Sequence, residues 1–158
     1  MRRTALLGIA AASLWASITW QRFGLQPSAL TLELALLPVR FGSVIHSWSP
    51  EQLATYRSTL LLDLGFVVAY GAFGYSAAKH SSPLQALPRT ARRFAAWLLP
   101  SAASANLVQD ALLGWLTEAP RFGVPVAYYL AFALAAAKLA LVAAFGLLVA
   151  LAYARTEA

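Results

Sequence analysis

Apolar residues in this chain fall into four long runs, at residues 5–20, 58–78, 94–116 and 124–153, with polar punctuation between them. The last three reach the about 20 apolar residues that a helix needs to cross a bilayer, and the first is short for a span. The second helix starts ahead of its run. In "SPEQ", Ser49 is placed as N-cap, Pro50 at the first helical position and Gln52 at the third, a capping-box arrangement. The four predicted helices therefore cover residues 5–20, 50–79, 94–116 and 124–153, in one domain spanning 1–158. The third contains Pro100 followed by Ser101 and Ser104, which predicts a kink with hydroxyls near the freed carbonyl. The fourth is rich in alanine, so it admits close helix packing.

The first run follows "MRR" and has the basic start and apolar stretch of a secretory signal. Its small residues Ala12, Ser13, Ala16 and Ser17 are interleaved with Leu14, Trp15 and Ile18, which leaves no clean cleavage site. We expect an uncleaved anchor. The connection at 21–49 holds "LPVRFGSVIHSWSPEQ", with Pro38 at a helix start and Phe41, Ile45 and Trp48 at i, i+4, i+7. That spacing predicts a short interfacial helix at 38–47, its apolar face and terminal tryptophan resting among lipid head groups. Trp20, Trp115, Tyr128 and Tyr129 are expected to be further anchors at the same boundary.

Composition turns these runs into a class. Hydrophobic residues make up 60% of the 158, charged residues only 11%, against roughly a quarter charged in soluble domains. The net charge of +6 lies between the apolar runs and not on one face, so nucleic acid is not an expected partner. The expected fold is an all-α membrane protein: an up-down-up-down bundle of four transmembrane helices with the interfacial helix between the first two. Lysine and arginine set its orientation. Arg2, Arg3, Lys79, Arg89, Arg92, Arg93 and Arg155 fall on one side, and Arg22, Arg40, Arg57 and Arg121 on the other, offset by Glu33, Glu51 and Glu118. Both termini are thereby expected on the cytoplasmic side of an inner membrane.

Three ionisable residues lie well inside the runs: Asp63, Asp110 and Lys138. Each costs about 2.5–3.5 kcal/mol at a helix centre on the insertion scale, and such groups face the bundle interior and find partners. Asp63 and Asp110 sit about 9 Å below the same boundary at 1.5 Å per residue, and Lys138 lies deeper with a stem long enough to reach them. Asp63, Val67 and Tyr70 share one face, Asn106 and Asp110 another, and Ala131, Ala135, Lys138 and Val142 a third. We expect these faces to converge on a cluster in which Lys138 is the counter-charge for both aspartates and Asn106, Gln109 and Tyr70 supply hydrogen bonds. One reading of such a cluster is structural, fixing helix register and rotation. The other is that it binds a proton, an ion or a polar head group. Its formal charge of −1 calls either for a protonated carboxylate or for a bound cation.

Enzymatic chemistry finds little support. The "GxGD" context of intramembrane aspartyl proteases is absent from "LLLDLG" and "VQDALL", and "GAFGYS" has no buried histidine to pair with a serine. His46 and His80 fall on opposite sides of the expected membrane, and cysteine is absent, so no metal or cofactor is expected. Four helices are too few for a retinal Schiff-base fold around Lys138.

"WSPEQLATYRSTLLLDLGFVVAYG", followed by "NLVQDALL" and "AAAKLALV", resembles small four-helix inner-membrane proteins of bacteria that have no assigned activity. The shared pattern is a tryptophan, "YR", "LxxD" and a tyrosine, then an acidic residue in the third helix and a lysine in the fourth. Trp48, Tyr56, Arg57, Asp63, Tyr70, Asp110 and Lys138 occupy those positions. The relatives' third helix more often reads "D" with "EN", where this chain has "NLVQD". The resemblance implies the fold and these residues, and no activity. The expected function is non-catalytic: an accessory or assembly subunit whose partners are the lipid bilayer and other membrane proteins. The alternative is a small carrier or binding protein for a proton, ion or lipid head group.

Overall fold

A computed structural model describes residues 2–156, and among these there are seven helices and no strand: α1 (Arg2–Arg22), α2 (Ala29–Glu33), α3 (Pro38–Ser47), α4 (Pro50–His80), α5 (Ser82–Gln85), α6 (Arg89–Glu118) and α7 (Pro125–Thr156). Local chemistry places several boundaries. Ser49 Oγ accepts from the Gln52 amide while the Gln52 side chain accepts from the Ser49 amide, so the capping box at the start of α4 is complete. Ser28 caps α2 through the Thr31 amide, and Pro38 opens α3. α4 stops at His80, ahead of Pro83, whose ring cannot be accommodated in a continuing helix. α6 runs on through Pro100, with Ser104 Oγ donating to the Pro100 carbonyl at 3.0 Å.

The four long helices overlap the four predicted segments and extend beyond most of their ends. Two of them, α4 and α7, are long and apolar enough to cross a membrane. α6 is less apolar, with Asn106, Gln109 and Asp110 inside its apolar run. Packing runs in sequence order, α1 on α4, α4 on α6 and α6 on α7, and does not close from α7 back to α1. The α4–α6 seam is the tightest. A Cβ at Gly71 would lie 3.0 Å from the Ala103 side chain, and one at Gly74 would collide with Leu99. These glycines let two backbones approach as small residues do in membrane bundles.

Two cores result. One fills the far end of the bundle, with Val67, Ala78, Leu98, Ala102 and Phe145, and it is closed below by Leu84 and Leu87 around α5. The other is a cap, in which α2, α3 and the connections around them fold over the ends of α4, α6 and α7. Here the expectation for Phe41, Ile45 and Trp48 is corrected. Their face packs on protein, not on head groups: Phe41 is 1%, Ile45 8% and Trp48 6% exposed. Phe41 stands edge-on to Tyr128 at 5.1 Å, and the Trp48 ring lies 5.2 Å from Tyr56. Trp48 Nε1 donates to the Pro27 carbonyl at 2.8 Å. Tyr128, expected as a boundary anchor, is likewise buried, its hydroxyl accepting from the Arg121 amide. The physical reason is that α3 folds over the ends of α4 and α7, so that Tyr56 and Tyr128 meet this face, with α2 beside it.

A charged lattice at the head of an apolar cleft

The open seam between α1 and α7 is a cavity of about 880 Å³. Ala11, Trp15 and Ile18 of α1, Phe66 and Phe73 of α4, and Leu139 and Val142 of α7 are among its apolar walls. At its cap end the lining changes to Arg22, Glu33, Asp63, Tyr70, Asn106 and Lys138. Five elements contribute, because α1 ends, α2 turns in, and α4, α6 and α7 all pass at this level.

Arg22, the last residue of α1, organises the lattice. Its Nε donates to Thr59 Oγ1 at 2.8 Å, Nη1 to Glu33 Oε1 at 3.0 Å and Nη2 to Asp63 Oδ2 at 3.3 Å. The guanidinium also lies 5.1 Å from the centre of the Tyr56 ring. Lys138 Nζ donates to Asn106 Oδ1 at 2.6 Å and pairs with Glu33 Oε2 at 3.5 Å. Asn106 in turn donates through Nδ2 to Asp110 Oδ2 at 2.9 Å. Glu33 therefore bridges the two cations, and Asn106 relays between Lys138 and Asp110. The paired side chains are only 10–19% exposed, so these contacts are far less screened than surface pairs.

The expected faces do converge: Asp63, Asn106 and Lys138 line one cavity, and Asp110 joins through Asn106. The expected pairing is corrected. Lys138 makes no ion pair with either aspartate; its partners are Asn106 and Glu33, while Asp63 is paired with Arg22. Gln109 is fully buried but its amide meets no partner, and the Tyr70 hydroxyl is also unpartnered, so neither supplies the expected hydrogen bond. Arg22 and Glu33 were missed because both lie outside the apolar runs that define the spans. The signal that could have found Glu33 is the one that singled out Lys138, a lone charge inside "LTLELALL".

Among the described residues no group of three histidine, cysteine, aspartate or glutamate side chains is placed to hold a metal ion. What the arrangement can do is hold a molecule with two chemistries, one end apolar and one end polar. The chain matches no protein-family model, no curated protein and no solved structure.

Proposed function

We propose that this is a non-catalytic, four-span membrane protein that binds an amphipathic, lipid-like molecule, with hydrocarbon between α1 and α7 and the polar head on the Arg22–Glu33–Asp63–Lys138 lattice. The observation that carries this reading is the continuity of the two surfaces in one cavity. Its volume, about 880 Å³, suits a small amphiphile. A spanning helix about 10–12 Å across and 30 Å long would need roughly 2,400–3,400 Å³.

The membrane setting rests on composition and on outward side chains. Leu6 and Trp15 on α1, Leu61 and Val68 on α4, Phe94 and Trp97 on α6, and Val126 and Leu147 on α7 are all exposed. Large apolar side chains exposed on every long helix support a lipid-facing bundle. With the basic residues Lys79, Arg89, Arg92 and Arg93 gathered at the far end, that end is cytoplasmic, both termini are inside, and the cap lies on the opposite face.

The test is mass spectrometry of the protein released from gently solubilised membranes, comparing the natural chain with Val142→Trp, which fills the cleft. A bound amphiphile carried by the first and lost from the second is the expected result; equal loading of both removes the proposal. A second reading, an accessory or assembly subunit, is favoured by the outward face of α7, where 11% of the most apolar stretch is buried. It predicts a larger complex after mild extraction, undisturbed by Val142→Trp.

A further inference from the structure

The polar end of the cleft is rich in carboxylates. Glu33, Asp63 and Asp110 stand against Arg22 and Lys138, a formal charge of −1 with every carboxylate ionised. Both cations are already committed to protein groups. Arg22 donates from all three nitrogens, to Thr59, Glu33 and Asp63, and Lys138 is shared between Asn106 and Glu33. Glu33 uses both of its oxygens. Asp63 uses only Oδ2; its Oδ1 meets no donor among the described residues.

An independent feature lies on the same wall. Tyr70 is 8% exposed and lines the cavity, and its hydroxyl is buried with no partner. Asp63 and Tyr70 are i, i+7 on one face of α4, and helical side chains lean toward the N-terminus, so the Tyr70 ring projects back toward the carboxylate. Phe66 stands 4.8 Å from that ring, one turn below Asp63, and also faces the cavity. A free carboxylate oxygen, a free hydroxyl and aromatic faces together form a receptor for a cation on an apolar stem.

We propose that the head group bound in the cleft is an alkylammonium, held by Asp63 Oδ1, the Tyr70 hydroxyl and the Phe66 and Tyr70 rings. The inference rests on the cleft being an amphiphile site. An ammonium pairs with the unused oxygen of Asp63, whereas a phosphate or sulfate placed at that oxygen would set anion against carboxylate where unpaired charge is costly. Two sources carry this chemistry: the amino head of an aminophospholipid, and a free long-chain amine.

The experiment is equilibrium binding to the full chain in nanodiscs of phosphatidylglycerol, with radiolabelled dodecylammonium, dodecyl phosphate and dodecanol. Dodecylammonium is expected to bind saturably and about tenfold or more tighter than the other two. Tyr70→Phe, which keeps the ring and the packing, is expected to weaken dodecylammonium by about three- to tenfold and leave dodecanol unchanged. Discs containing phosphatidylethanolamine separate the sources: competition assigns the site to the lipid amine, and undiminished binding to a free amine. Saturable binding of dodecyl phosphate or dodecanol as tight as that of dodecylammonium overturns the ammonium assignment and leaves the cleft standing. No saturable binding of any of the three overturns the cleft itself.

Discussion

Arg22 and Asp63 meet at 3.3 Å across the α1–α4 seam, although they are 41 residues apart and one closes a helix while the other lies inside one. The contact makes Arg22, not Lys138, the direct counter-charge of Asp63. A double-mutant cycle separates the two assignments. The coupling measured between Arg22→Met and Asp63→Asn is expected to exceed that between Lys138→Met and Asp63→Asn. Arg22→Met alone should destabilise by about 3–5 kcal/mol, because it strands Asp63 in a poorly hydrated site and leaves Glu33 with Lys138 alone. Thermal unfolding in detergent gives both numbers, and equal couplings would refute the pairing.

Arg22 also serves three acceptors from one planar fork, which an ammonium cannot reproduce. Arg22→Lys is therefore expected to recover only part of the stability lost in Arg22→Met. Full recovery would mean that charge alone suffices at this position.

Glu33 ties the cap to the bundle, since it is the α2 group that reaches both Arg22 and Lys138. Glu33→Gln keeps the size and drops the charge. The connection at 23–37 should then be cut faster in limited proteolysis while the long helices stay intact. An unchanged cleavage rate would show that the apolar contacts of Leu25, Leu32 and Trp48 hold the cap without it.

Two glycines should respond in opposite ways. A side chain at Gly74 runs into Leu99, whereas one at Gly146 meets nothing within 4 Å. Gly74→Val is expected to lower stability by about 1–3 kcal/mol through overpacking. Gly146→Ala, in the middle of α7, should raise it by up to about 1 kcal/mol. Melting curves of the two variants read the difference directly.

The chain has no cysteine, so single substitutions report topology cleanly. Ser43→Cys in the cap should react with an impermeant maleimide added outside whole cells, and Gln85→Cys at the far end only after the membrane is opened. The reverse pattern would invert the orientation.

Helices with strong local rules were legible in the sequence. The apolar runs located α1, α4, α6 and α7, and "SPEQ" placed the start of α4 at Pro50. Of the three charges inside those runs, Asp63 and Lys138 line the cavity and Asp110 joins through Asn106, because a charged group in an apolar helix has to turn toward other polar groups. The partners were not legible. Depth along a helix says which residues share a level, but not how α2 folds inward, and Glu33 reaches Lys138 only through that fold. Arg22 looked like a boundary residue because it ends a helix, yet its long side chain reaches Glu33 and Asp63. The face of α3 was read correctly as apolar and wrongly as lipid-facing, since spacing reports what is buried and not what buries it.

Occupancy of the cleft is the most direct test of what this protein does. We would extract the natural chain, Ala12→Trp and Val142→Trp from membranes under identical mild conditions and weigh each by native mass spectrometry. The natural chain is expected to carry an amphiphile in about one-to-one ratio, given one cavity of this size, and both variants should lose it while melting at similar temperatures. Folded variants that retain the same adduct as the natural chain would contradict a binding role for the space between α1 and α7.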